Sequence, residues 1–318
     1  ADIPFEDLEL PREEALAPFR NLGLSDRSNL LDTFPLQAVP TTRLDGMLQI
    51  RFLPTVPSTA LLGVFDLVWH APGLILRFPR TTAPGSLPHY ADQQGLFSIF
   101  RENRSWADIM EVQNCGELNK AILAGRDSEL IKLAEALHEK KIALIADLIN
   151  NTITRTKFIL IAGPSSSGKT TFAKRLAIQL RVNGIRTTPI STDDYFKSRE
   201  ETPRDEEGNY NFEDLEALDL DLFNRHLRAI LQGENVEIPN FSFELGHRKE
   251  QGKDVLVPPG QPVIIEGIHC LNPELTRAIP RENKFLIYVS ALTPLNIDDV
   301  NRIPTTDNRI LRRIVRDS

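Results

Sequence analysis

The segment Gly163-Pro164-Ser165-Ser166-Ser167-Gly168-Lys169-Thr170 fits GxxxxGK[ST] at every fixed position, and Thr171 follows it. Glycines at these two places let backbone N–H groups curl around phosphate oxygens. A helix starting at the second glycine adds partial positive charge. In such a loop Lys169 reaches the outer phosphates and the Thr170 hydroxyl is a ligand for Mg²⁺. A nucleotide and a divalent cation are therefore expected here, with no reaction yet specified.

Three further groups bear on the reaction. Ser191-Thr192-Asp193-Asp194-Tyr195-Phe196 places two acids at the end of an apolar run, where one can act as base towards a hydroxyl or order metal-bound water. The same pair also suits the cap of a turn. Val263-Ile264-Ile265-Glu266-Gly267 is an apolar strand ending in an acid, a position for a second metal-side carboxylate or for a chance acid at a strand exit. Arg309, Arg312, Arg313 and Arg316 recur at spacings of three and four, on one helical face. That face can clamp phosphates, or it can be a solvated basic surface.

These residues need elements to hold them. From Lys157 onward the pattern alternates short apolar runs with amphipathic segments. Strands are expected at Phe158–Ala162, Thr187–Thr192, Pro262–Ile265 and Phe285–Val289. Helices are expected at Thr170–Val182, over the apolar positions Leu215 to Leu231, and from Arg309. Strands separated by helices form a parallel sheet covered on both faces, and such sheets bind ligands at the carboxyl ends of their strands. Asp127–Ile149 reads as one helix of about six turns bridging two domains. The first 110 residues are proline-rich and loop-like. Their apolar runs Met47–Leu53, Thr59–Trp69 and Gly73–Phe78 read as strands or buried segments, with a turn at Ala71-Pro72-Gly73 and short helices at Ser105–Met110 and Gly116–Leu123. No acid–base constellation occurs there.

The 318 residues, 41% hydrophobic and 25% charged, suffice for two domains. A net charge of −7 argues against a general nucleic-acid coat or an anionic-membrane binder. Cys115 and Cys270, far apart and in no CxxC pattern, fit a reducing cytoplasm better than a disulfide scaffold or cysteine zinc site. The chain starts at Ala1 and stops at Ser318 inside a periodic basic segment, so both ends are expected to be cut. His70, His89, His138 and His226 lie outside the motifs; His269 follows Glu266 and is a candidate to approach a substrate.

Taken jointly, Gly163–Thr171, Ser191–Phe196, Tyr210-Asn211-Phe212-Glu213, Val236-Glu237-Ile238-Pro239 with Phe241 and Phe243, Ile264–Ile268 and Arg309–Asp317 resemble the uridine kinase/phosphoribulokinase family of P-loop small-molecule kinases. The phrases Ala134–Lys141 and Asn301–Asp307 are similar to a bacterial subgroup in which a nucleoside-kinase-like domain follows a threonyl-tRNA-synthetase-like region. The resemblance implies an α/β P-loop kinase with a parallel sheet covered by helices on both faces, preceded by a smaller α+β region. Residues 1–126 would be the appended region, 127–152 the connecting helix and 153–318 the kinase domain, without its complete lid.

It further implies an ATP- and Mg²⁺-dependent, cytoplasmic enzyme that phosphorylates a nucleoside 5′-hydroxyl, uridine or cytidine. Asp193 would be the base, Lys169, Arg312 and Arg316 catalytic cations, and Thr170 and Glu266 the metal side. Tyr195, Phe196, Glu213, Phe241, Phe243, His247, Arg248 and Glu266 would bind the acceptor. Gly246 stands where uridine kinases carry a base-reading histidine, with His247 one place later. Tyr195-Phe196 reverses the usual order of that pair. Another hydroxyl acceptor, or a nucleotide-switched protein that meets RNA through its first half, stays open at this point, as does homo-oligomerisation. No membrane partner is expected.

Overall fold

The computed structural model describes residues 2–71, 73–92, 94–293 and 295–318. The chain divides into two compact units, Ala1–Ile131 with Pro294–Ile303, and Lys132–Thr293 with Pro304–Ser318. The segment 294–303 thus groups with the first unit, although sequence reading assigns it to the kinase domain.

The first unit opens with β1 (Glu6–Pro11), α1 (Arg12–Asn21), α2 (Ser25–Thr33), β2 (Ala38–Leu44) and β3 (Met47–Ile50). The three strands pair antiparallel in the order β1-β2-β3. Ala15, Leu16, Phe19, Leu30 and Leu31 pack with Val39, Leu48 and Ile50 into a small core. A hairpin follows, β4 (Asp66–His70) with β5 (Gly73–Arg77), then α3 (Gln94–Met110) and α4 (Cys115–Leu123). Two expectations change here. The helix expected at Ser105–Met110 begins eleven residues earlier, because Phe97 finds a tertiary partner in the His70 ring, 4.3 Å between centroids. The run Thr59–Trp69 is neither one strand nor buried: it is a 3-10 turn at Thr59–Leu61 followed by β4, with Phe65, Leu67 and Trp69 exposed. Pro72, at the centre of the expected turn, lies outside the described residues.

α5 (Asp127–Asn150) is the long helix expected from its periodicity. Its later turns are part of a core, with Ile142, Ala146 and Ile149 completely buried. The second unit then runs β6 (Phe158–Ala162), α6 (Lys169–Val182), β7 (Thr188–Ser191), α7 (Leu220–Gln232), β8 (Val236–Ile238), β9 (Phe241–Ser242), β10 (His247–Arg248), β11 (Lys253–Val255), β12 (Val263–Glu266), β13 (Lys284–Tyr288) and α8 (Thr305–Asp317). β13-β6-β12-β7 is a four-stranded parallel sheet. β8 pairs with β11 and β9 with β10 in small antiparallel ribbons.

The sheet is apolar on both faces, as a covered parallel sheet must be. Successive residues alternate sides. Phe158, Leu160, Ala162, Val263 and Ile265 meet Phe223, Leu227 and Ile230 of α7. Ile159, Ile161, Ile264 and Ile287 meet α5 and Phe172, Leu176 and Leu180 of α6. Asp219 caps α7 by accepting the Leu222 N–H at 3.0 Å. Among the described residues no helix is long and apolar enough to cross a membrane.

Candidate active site

Three strand ends build the site. β6 leads into the phosphate loop, β7 into the acid pair, and β12 ends on Glu266. The register places Glu266 beside Ile161 on one side and Ser191 on the other, so all three exits lie at one level of the sheet. Gly163 has to be glycine: a Cβ there would overlap the Val289 carbonyl and lie 2.7 Å from Ser167 Oγ. Gly168 has φ +94° and Ser166, a non-glycine, has φ +60°. Strain of this kind is tolerated where a loop must present its N–H groups inward.

A cleft of about 680 Å³ is lined by Ser165, Ser166, Gly168, Lys169, Thr170, Thr171, Asp193, Glu266, Ile268, Leu311, Arg312, Val315 and Arg316. Lys169 Nζ donates to the Pro164 carbonyl at 3.3 Å. Thr170 Oγ1 donates to Glu266 Oε1 at 2.8 Å. Arg309 Nε and Arg312 Nε donate to the Ser165 and Ser166 carbonyls at 2.9 and 3.1 Å, so α8 is fixed over the loop by its arginines. Arg316 lines the same cleft.

The adjacent acids are sorted by a turn of 3-10 helix at Thr192–Tyr195, where Ser191 Oγ accepts the Asp193 N–H. Asp193 opens into the cleft, and Asp194 is not part of its lining. Desolvation by the cleft walls raises the Asp193 pKa above the ordinary carboxylate value; Glu266 and Asp194 add to this and Lys169 opposes it. Burial also raises Asp194, which accepts the Phe241 backbone N–H and lies near Lys253.

The remaining expected residues are divided. Phe196 packs on Phe241 and Phe243, each 5.6 Å between centroids, and Phe241 on Phe243 at 5.2 Å. Phe212 joins this cluster at 5.9 Å from Phe196, and Phe243 is 57% exposed at its edge. Tyr195 is turned into the core, 1% exposed. Its hydroxyl is 3.0 Å from His226 Nδ1, and burial pushes its pKa up. Arg248 is occupied by two backbone carbonyls and a carboxylate: Nε donates to the Phe196 carbonyl, Nη2 to the Tyr195 carbonyl, and Nη1 to Asp219 Oδ2, at 3.0–3.1 Å. His247 and Glu213 are exposed, outside the cleft lining. His269 Nε2 is buried without a hydrogen-bond partner among the described residues, outside the cleft lining too.

Sequence reading did not single out Ile268, Leu311 and Val315, which form the apolar wall of the cleft. The i,i+4 spacing of Leu311 and Val315 was the available signal. It also missed Arg199, whose Nε lies 3.0 Å from where a Cβ on Gly246 would be. A side chain at 246 would press on that flexible guanidinium by a few tenths of an ångström, and the backbone φ of +75° disfavours any residue but glycine there.

The donor set fits Mg²⁺ and ATP. Thr170 and Glu266 offer hard oxygen ligands, and the strained loop with the cation Lys169 forms a cradle for phosphates. Among the described residues no group of three or more His, Cys, Asp or Glu could hold a metal ion.

Strand, glycine loop and helix at the carboxyl end of an interior strand of a parallel sheet define a P-loop fold. Residues 158–317 match the phosphoribulokinase/uridine kinase family, and the chain belongs to that family. It is 31% identical over 157 residues to a uridine kinase of Halobacterium salinarum, covering 49% of this chain and 60% of that protein. It is 32% identical over 159 residues to a uridine kinase of Brevibacillus brevis, covering 49% and 64%. The chain thus spans less than two thirds of the length of these relatives. A solved structure of a possible uridine kinase from Bacillus stearothermophilus aligns at 24% identity over 45% of this chain and 78% of that one, with a TM-score of 0.36.

Proposed function

We propose that the chain is an ATP- and Mg²⁺-dependent kinase that phosphorylates a hydroxyl of a small acceptor, the 5′-hydroxyl of uridine or cytidine. The observation that carries this reading is one cleft shared by Lys169, Thr170, Glu266 and Asp193: phosphate cradle, metal-side oxygens and a candidate base together. The two uridine kinases described above support the choice of acceptor.

When bound, Mg²⁺–ATP supplies the phosphoryl group and a counter-charge for its oxygens. The protein's part is positioning and electrostatics. Asp193 orients the acceptor hydroxyl and takes its proton as that oxygen attacks. Its raised pKa makes it a stronger base than an ordinary aspartate. Lys169 from the phosphate loop and Arg312 and Arg316 from α8 neutralise charge on the transferring group. Leu311, Val315 and Ile268 limit water beside it. Phe243, exposed and backed by the buried Phe196 and Phe241, offers an aromatic ring to a base, and Glu213 a carboxylate to ribose hydroxyls.

The proposed domain plan is 1–126 as a synthetase-like region, 127–152 as connecting helix and 153–318 as the kinase domain. The enzyme is proposed to be cytoplasmic, and any nucleic-acid contact is assigned to the first region. The test is ADP release against a panel of nucleosides and other small alcohols, with RNA as a separate arm. Turnover dependent on uridine or cytidine is the expected result. Turnover dependent on RNA alone would overturn it.

A further inference from the structure

The β4–β5 hairpin is sharply two-sided. One face carries Asp66, Val68, His70, Ile75 and Arg77, all partly buried. It is tied down by Arg77, which donates to Asp66 Oδ2 at 2.8 Å and to the Pro88 carbonyl at 2.7 Å, and by the His70–Phe97 ring contact. The other face is wholly apolar and open: Leu67 is 53% exposed, Trp69 70%, Leu74 61% and Leu76 56%, with Phe65 at 59% and Phe78 at 66% continuing the same alternation. The cross-strand partners are Leu67↔Leu76 and Trp69↔Leu74, and Phe65 and Phe78 follow one step beyond Asp66↔Arg77. A contiguous apolar face of this kind marks an interaction surface rather than ordinary scatter of exposed hydrophobics.

We propose that this face is the contact between two copies of the chain, packed sheet on sheet about a two-fold axis. Its three rungs are Phe65 with Phe78, Leu67 with Leu76, and Trp69 with Leu74. Turned end for end, the ladder puts each aromatic rung over the other and the leucine rung over itself. It is complementary to its own copy, as an isologous interface requires. None of the six side chains is charged, so the face offers no counter-charge to phosphates or to an anionic membrane surface. It is a two-stranded surface and not a groove, so it lacks the walls that seat an amphipathic helix. Six side chains more than half exposed present on the order of 600 Å² per copy. Two copies then bury about 1,200 Å², at the lower end of stable specific interfaces.

The test is sedimentation velocity of the whole chain. The parent is expected to dimerise with a Kd at or below about 10 µM. Leu76→Glu, which buries a carboxylate in the middle rung, is expected to raise that Kd at least about 100-fold. Leu123→Glu, on α4 and 76% exposed, is expected to leave it unchanged. The chain has two tryptophans, so in a Trp106→Phe background Trp69 reports directly: its emission should shift to the blue as concentration rises through the Kd. Should circular dichroism show Leu76→Glu to be unfolded, Trp69→Lys takes its place, and the Trp69 emission of the Trp106→Phe chain decides without either variant. A parent that stays monomeric to about 100 µM, a dimer that withstands the folded variant, or a dimer whose Trp69 stays in water would each overturn the proposal.

Discussion

The Thr170 hydroxyl donates a 2.8 Å hydrogen bond to Glu266 Oε1, joining the first turn of α6 to the end of β12 across 96 residues of sequence. Each holds the other in the orientation in which both oxygens face the cleft. Glu266→Gln keeps the shape and an acceptor but removes the charge. The Mg²⁺ concentration for half-maximal turnover should rise by about 10–100-fold, the range found when metal-site support is lost. A magnesium titration of initial rates checks this, and an unchanged curve would remove Glu266 from the metal side.

Lys169 sits where the loop meets α6 and donates a long 3.3 Å bond to the Pro164 carbonyl. Lys169→Ala removes a charge aimed at the outer phosphates, so ATP affinity and turnover should fall together. Calorimetric ATP titration beside steady-state rates is the measurement. A variant that binds ATP and turns over like the parent would contradict the loop assignment.

How much of this was legible beforehand differs by element. The phosphate loop, α6 and the strand Phe158–Ala162 were readable because glycine geometry and a short buried run leave few alternatives. The exits at Asp193 and Glu266 followed from the same alternation. The pairing order β13-β6-β12-β7 was not legible, since it depends on crossovers and not on local pattern. Nor was the fate of neighbouring side chains. Tyr195 and Phe196 look equivalent in sequence, yet the 3-10 turn sends one into the α7 core and the other towards Phe241 and Phe243. α1 and α2 were missed because α1 carries Pro18 and α2 is mostly polar, and their helicity rests on packing of Leu16, Phe19 and Leu30.

Arg248 belongs with acceptor binding by resemblance, but its geometry points to support of the acid turn. Its guanidinium holds two carbonyls of that turn and Asp219. Arg248→Met should destabilise the protein by about 1–3 kcal/mol, as for loss of charged, partly buried hydrogen bonds. His247→Ala, at an exposed neighbour, should leave stability unchanged. Urea denaturation of both variants decides, and equal stability of Arg248→Met and the parent would contradict the clamp.

His226 accepts or donates at Nδ1 to the buried Tyr195 hydroxyl. Burial, then Arg225 and Arg248, lower its pKa below the ordinary histidine value of 6.5, against the opposing pull of Asp219 and Glu237. The folded state therefore binds fewer protons than the unfolded chain. Its stabilising contribution is complete above the unfolded pKa and is lost as pH falls from there towards the lower folded value. The Tm should drop as pH falls through the ordinary histidine value of 6.5, and drop less in His226→Asn, whose amide oxygen replaces Nδ1 without titrating. Identical pH profiles for the two proteins would show that His226 is not depressed.

The central claim is that Asp193, and not its neighbour, serves the acceptor. Asp193 faces the cleft with Lys169 and Glu266, while Asp194 accepts the Phe241 N–H. The direct measurement is acceptor-dependent ADP release by Asp193→Asn and Asp194→Asn beside ATP affinity for each. Asp193→Asn should hold ATP within a few-fold of the parent and lose about 10²–10⁴ in turnover, the usual share of general acid–base catalysis, with a much smaller loss in Asp194→Asn. Parental turnover in Asp193→Asn, or a large loss confined to Asp194→Asn, would contradict the assignment.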